Sequence, residues 1–225
     1  MSLSVQRIRH RYPMMRTEDP PVLEDVSFQL DVGDHLLLRG ISGSGKTTLI
    51  NILAGLLTPS AGQITLSEQS VYALGEAERD EFRRTQIGYV FQTHHLLPIL
   101  NAWENVAMPL AFAGVSVKER KAHAIELLEQ VELAKFANSR PGQLSNGQRQ
   151  RVAIARAMVN RPKLILADEP TASLDADSAE NVINLLQTTC QASGTILIVA
   201  SHDPTMGAKF GRIADLRYGR WIEAN

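Results

Sequence analysis

An α/β fold with a mostly parallel sheet is predicted by three features of this chain. A short apolar run, His35 to Arg39, leads into Gly40-Ile-Ser-Gly-Ser-Gly-Lys-Thr47, and an apolar-rich stretch, Thr48 to Leu57, follows it. Strand, glycine loop, helix is the order in which a parallel α/β unit cradles phosphate. The carboxyl-terminal part alternates again: a helical pattern from about Asn146 to Asn160, a strand Lys163 to Ala167, a helix Ala176 to Gln191 and a strand Thr195 to Ala200. Strands alternating with helices of this length imply a parallel sheet covered on both faces. The third feature is the acidic pair Asp168-Glu169, closing an apolar run at the sheet edge where open α/β sheets bind ligands.

Taken in order, the segment up to about Ser67 carries four short alternating or apolar runs: Leu3 to Ile8, Val22 to Leu30, His35 to Arg39 and Gln63 to Leu66. Turn residues separate them, so they read as strands around the glycine loop. Met14 to Pro21, with two prolines and mixed charge, reads as a loop. From Glu76 to Arg140 the pattern is largely helical. Within it, Lys118 to Phe136 places Ala124, Leu127, Leu128 and Val131 at helical spacing with charges between them, an amphipathic helix that packs through one face. The segment Thr93 to Leu100 is apolar for a loop, with Leu96, Leu97, Ile99 and Leu100 beside His94 and His95; such residues either pack inward or form a socket for a partner. No internal repeat or low-complexity linker divides the chain. It reads as one domain, 1–225, with a helical subdomain at about 93–160.

Composition narrows the function classes. The 225 residues are 44% apolar and 21% charged, ordinary for a globular protein. Twenty-three Lys and Arg face 24 Asp and Glu, so no overall basic field recruits nucleic acid or anionic lipid. The amino terminus is basic but lacks the apolar stretch of a secretion signal, and no apolar run approaches the roughly 20 residues that span a bilayer. The chain therefore reads as neither exported nor membrane-embedded. Its single cysteine, Cys190, falls on one helical face with Ala179, Val182, Ile183 and Leu186, the setting of a packed core thiol.

The motifs carry the chemistry. Gly40, Gly43 and Gly45 offer bare backbone whose N–H groups can turn toward phosphate oxygens, and Ser42 and Ser44 complete the loop. Lys46 would reach the β- and γ-phosphates, the Thr47 hydroxyl would take a position in the shell of Mg²⁺, and Thr48 lies close to the α-phosphate. Asp168 would hold Mg²⁺ through water, while Glu169 would polarise the water that attacks the γ-phosphate. Ser145, Asn146, Gly147 and Gln148 open a helix, whose amino terminus favours an anion.

Together these residues resemble the nucleotide-binding subunit of ATP-binding-cassette (ABC) transporters, and the resemblance runs from Tyr12 to His202. GISGSGKT is similar to that family's Walker A loop, Gln92 in YVFQ to its Q-loop glutamine, LSNGQ (Leu144 to Gln148) to its signature, and ILADEP to Walker B with the catalytic glutamate. Ser173-Leu174-Asp175 resembles the D-loop, His202 the switch histidine, and Tyr12 is placed to stack on adenine. The resemblance implies a P-loop ATPase with an antiparallel β edge at the base-binding side and a helical subdomain bearing the signature. It implies ATP and Mg²⁺ as cofactors, with Gln92 near both metal and attacking water, and a nucleotide pocket completed by Ser145 to Gln148 of a second copy of the chain. The signature departs from the usual pattern at Asn146, where the family has glycine, and Asn is the residue that best tolerates left-handed angles in glycine's place.

Arg83 to Leu110 resembles more narrowly the branch serving lipoprotein release, macrolide efflux and related envelope export. That implies a peripheral subunit on the cytoplasmic side of the inner membrane, powering a separate integral membrane permease. The competing class is a soluble ABC-type ATPase of DNA repair, chromosome structure or translation. Too few residues separate Thr47 from Leu144 for the long coiled coils of the repair and chromosome members, and the slightly negative charge argues against a nucleic-acid partner.

Overall fold

The computed structural model describes residues 2–16 and 18–224. The loop expected at Met14 to Pro21 is irregular where described; Thr17 lies outside the described residues.

Two sheets form the frame. Strands β1 (Ser2–His10), β2 (Leu23–Asp31), β4 (Ala61–Leu66) and β5 (Gln69–Ser70) make an antiparallel sheet in the order β2-β1-β4-β5. The other sheet has the order β10-β9-β3-β8-β7-β6, from β3 (His35–Arg39), β6 (Ile87–Val90), β7 (Leu164–Asp168), β8 (Ile196–Ser201), β9 (Arg212–Arg217) and β10 (Arg220–Ala224). Its strands run parallel except β10, which pairs antiparallel with β9 at the edge. β7 and β8 are buried at every position, as a sheet covered on both faces requires.

Three apolar clusters hold the layers. Helix α1 (Lys46–Leu53) buries Leu49, Ile50, Ile52 and Leu53 in one core with Leu3, Ile8 and Ile64 of the antiparallel sheet and Leu36 and Leu38 of β3. A second joins β3, β7 and β8 to helices α5 (Asn146–Met158) and α6 (Ala176–Ser193). Cys190 of α6 sits fully buried there, and burial pushes its thiol up to about 12. The third binds α3 (Ala102–Phe112), α4 (Val117–Gln130) and α5 to one another. The only other α-helix among the described residues is α2 (Glu76–Gln86).

Several elements differ from the sequence reading. The first helix is shorter than Thr48 to Leu57, running from Lys46 to Leu53 before Gly55 turns at φ +70. The segment 76–140 is broken by β6 and the irregular stretch 91–101. Ile-Gly-Tyr-Val enters the sheet because its backbone pairs with β7 and because Gly88, lacking a side chain, lets Ala157 O approach; a Cβ would overlap that oxygen. α4 ends at Gln130, with the last residues of the expected helix in a separate 3₁₀ turn, Ala134–Phe136. β9 and β10, beyond His202, were not anticipated. No described helix is long and apolar enough to cross a membrane.

Candidate nucleotide-binding and hydrolysis site

β3 delivers the chain to the glycine loop at the carboxyl edge of the six-stranded sheet. A Cβ at Gly40 would overlap Ser44 Oγ and lie 2.7 Å from Leu216 O; at Gly45, whose φ is +103, it would lie 2.9 Å from Val22 O. Both positions require glycine, and the backbone they bracket is open to an oxyanion. Gly45 caps α1 without a side-chain bond, so the first N–H groups of the helix remain for a ligand. Lys46, only 7% exposed, donates from Nζ to Gly40 O (2.6 Å) and Ile41 O (3.3 Å), and lies 3.5 Å from Glu169 Oε1.

β7 brings the two carboxylates to the same edge, where they diverge. Asp168 is the last residue of the strand and is buried, with Oδ1 lacking any hydrogen-bond partner. Burial raises its pKa above the usual carboxylate value, and Glu169 adds to the rise, while the Thr47 hydroxyl and Lys46 oppose it. Glu169 leaves the strand at φ 49, an angle that costs a non-glycine residue about 1–2 kcal/mol. Its N–H donates to Ala200 O (2.9 Å) on β8, fixing that turn. Glu169 Oε1 lies 2.9 Å from His202 Nδ1, and the His202 main-chain N–H donates to Oε2 (3.4 Å). One carboxylate thus holds the ring and backbone of His202, and with Nδ1 donating, Nε2 is left for a ligand.

Lys46, Glu169 and His202 line a single cavity of about 640 Å³ with Tyr12, Ser42, Gly43, Gly45, Thr47, Thr48 and Gln92, and Asp168 lies behind it in hydrogen-bond contact with the Thr47 hydroxyl. Tyr12 follows β1; its hydroxyl is 3.1 Å from Thr48 Oγ1, and the His10 ring meets it edge to face at 4.8 Å. Gln92 enters on the loop after β6. The unpartnered Asp168 oxygen beside a threonine hydroxyl is a hard-cation donor pair, so the residues present fit Mg²⁺. Among the described residues no cluster of three or more His, Cys, Asp or Glu could hold a metal.

The LSNGQ residues lie elsewhere. Ser145 caps α5, its Oγ accepting from Gln148 N (3.2 Å) while Gln148 Oε1 accepts from Ser145 N (2.9 Å). Ser145, Gly147 and Gln148 line a separate depression with Ser178 and Asn181. Asn146 is the first residue of α5, where the helical pattern was expected to begin, and its backbone is not left-handed, so it calls on no glycine-like freedom. Its Nδ2 donates to Ser173 O (3.4 Å), and its Oδ1 accepts from Arg149. Asn146 therefore ties the start of α5 to the loop Ser173-Leu174-Asp175. Asp175 in turn caps α6 by accepting from Ser178 N (2.9 Å).

The segment 93–100 divides. Leu96 packs on the helical core and Asn105 binds the loop through Leu97 N, Leu97 O and Leu100 O. Leu97 and Ile99 remain 43% and 77% exposed. The start of the same loop lines a groove of about 520 Å³, with Phe91, His95, Met108, Pro109, Phe112 and Arg156. Sequence reasoning missed Arg156, a single arginine in an apolar helical run with no motif to mark it.

The family model described as ABC transporter matches residues 23–172. Among solved structures, the chain is similar to a dimeric post-hydrolysis state of the ATP-binding cassette MJ0796 bound to ADP and Pi, at 36% identity and a TM-score of 0.87 over 99% of both chains. It is equally similar to a dimeric structure of MJ0796, a bacterial ABC transporter cassette, with the same identity, coverage and score.

Proposed function

The chain belongs to the ABC transporter family and is an ATPase of that family's P-loop fold, and from that premise we propose that two copies sandwich ATP to power a separate membrane permease. The carrying observation is that Lys46, Thr47, Glu169, Gln92 and His202 share one cavity, with Asp168 bonded to the Thr47 hydroxyl behind it, while Ser145, Gly147 and Gln148 line another. A γ-phosphate bound in the first cavity would lack the anion site at the start of α5 unless a second copy supplied it. The dimeric MJ0796 cassettes support that arrangement.

In the proposed cycle Tyr12 covers the base and the glycine loop takes the phosphates. Lys46 exchanges Glu169 for the β- and γ-phosphates, which frees the carboxylate. Glu169 then takes a proton from water as the water oxygen bonds to the γ-phosphorus and the bond to the ADP oxygen breaks. His202, held beside the site by its Nδ1 contact with Glu169, gives that one ring N–H to the γ-phosphate as the carboxylate turns to the water. Thr47, Asp168 and Gln92 would hold Mg²⁺, which when bound neutralises charge developing on the β- and γ-oxygens.

Coupling to a permease is supported by the exposed Leu97 and Ile99 on the loop that follows Gln92, and by the exposed Phe112 in a groove that the same loop lines through Phe91 and His95. An amphipathic cytoplasmic helix seated there would sense the nucleotide cavity through that loop. The protein then works as a peripheral subunit at the cytoplasmic face of the inner membrane, in the lipoprotein-release and efflux branch that Arg83 to Leu110 resembles. The expected result is membrane fractionation only on co-expression with the permease, and its loss in Leu97→Glu with Ile99→Glu while ATP binding persists. Recruitment that survives both substitutions would place the coupling surface elsewhere.

A further inference from the structure

Arg156 is buried to 7% exposure in α5, yet among the described residues no carboxylate pairs with it. Its guanidinium instead donates from Nη1 to His95 O and from Nη2 to His94 O, both at 2.6 Å. A buried guanidinium without those acceptors would be left uncompensated, so the two carbonyls and the helix must keep their relative position. The clamped loop is specialised. His94 and His95 are consecutive left-handed residues at φ 57 and 48, and the His95 N–H turns back to Thr93 O (2.6 Å). On the other side the His95 ring stacks on Phe91 (4.6 Å, 4°), which stacks on Tyr89 of β6 (4.1 Å, 21°). Gln92 thus lies between Phe91, fixed by the aromatic ladder, and the carbonyls fixed by Arg156.

We infer that Arg156 is a positioning residue: by clamping His94 O and His95 O it holds Gln92 in the nucleotide cavity and makes the loop move with α5, whose first turn follows Ser145. The inference rests on the reading of Gln92 as a metal-side residue. It gives a route by which a partner pressing on the groove, or an anion drawing on Ser145, alters the metal side of the cavity without touching it. Two parallel donors to two carbonyls of one loop suit arginine and not lysine, whose point charge cannot hold both in one plane.

The test compares parent, Arg156→Lys, Gln92→Ala and the double variant, reading equilibrium ATP binding as a function of Mg²⁺ and amide hydrogen exchange across 91–96. Arg156→Lys is expected to raise the half-saturating Mg²⁺ by about 10-fold, as loss of an outer support does, with ATP binding in the absence of metal unchanged and exchange at His94 and His95 accelerated. In the Gln92→Ala background the same change should add nothing to the Mg²⁺ shift, because both act through one group. A parent-like Mg²⁺ response in Arg156→Lys, or an equal further shift in the Gln92→Ala background, would overturn the inference. If Gln92→Ala itself leaves the Mg²⁺ response unchanged, the reading of Gln92 fails instead. Should Arg156→Lys not fold, His95→Gly loosens the same loop with the guanidinium in place and has the same two outcomes.

Discussion

Asp168 and Glu169 are adjacent carboxylates with opposite surroundings, and their substitutions should separate accordingly. Glu169 is compensated by Lys46 and His202, whereas Asp168 is buried with an unpartnered oxygen and a raised pKa. A carboxyl with a raised folded-state pKa contributes stability that is present below its unfolded value and lost as pH rises through the folded one. Above the usual carboxylate range the metal-free protein therefore carries the cost of burying Asp168 with one oxygen unpartnered. Asp168→Asn should relieve it, by about 1 kcal/mol for one uncompensated group, or roughly 2 to 4 °C in melting temperature, while abolishing the effect of Mg²⁺ on ATP binding. In the parent, Mg²⁺ binding should weaken as pH falls through that raised pKa, because proton and metal compete for one oxygen. Glu169→Gln should instead keep ATP binding and cut turnover by roughly 10²- to 10⁴-fold. Calorimetry and steady-state hydrolysis check both; a lower melting temperature for metal-free Asp168→Asn at pH 7, or near-parent turnover of Glu169→Gln, would contradict them.

Among the elements, legibility followed signal length and burial. β3, the glycine loop and α1 were readable because the apolar run and the glycines fall together, and β7, α6 and β8 because their periods change cleanly. β6 was not, since four residues between a charged helix and an apolar loop give no period of their own; only pairing with β7 makes them a strand. β9 and β10 alternate apolar positions with Arg212, Asp215, Arg217 and Arg220, whose partners, such as Arg39 for Asp215 and Glu24 for Arg220, are remote in sequence. The side-chain contact of Asn146 to Ser173 was illegible for a related reason, since backbone preference says nothing of a partner remote in sequence. The close approach of α5 to β6 gives a direct test of the packing. Gly88→Ala should cost about 1–3 kcal/mol through overpacking against Ala157 O, lowering the melting temperature without changing the nucleotide cavity. A parent-like melting temperature would mean that the helix and strand can separate freely.

At the scale of the whole molecule, three apolar cores hold two sheets and a helical layer so that the nucleotide cavity and the start of α5 open separately. The residues of the cavity were legible from motif order, because Walker-type spacing fixes which loops meet at one sheet edge. Completion by a second copy was legible only through family resemblance, since spacing along one chain says nothing of where another chain sits. The proposed composite site makes two inactive variants complementary. Lys46→Ala removes the phosphate cation of one cavity but leaves α5 intact; Ser145→Arg blocks the anion site at α5 but leaves the cavity intact. The most direct measurement is ATP hydrolysis by each variant alone and by their mixtures over a range of ratios. The expected result is that both are inactive alone and that mixtures regain activity with a maximum at intermediate ratios, from hybrid dimers holding one complete site. Parent-like hydrolysis or ATP-induced dimerisation by Ser145→Arg alone, or no recovery at any ratio from two folded variants, would contradict a site shared between two copies.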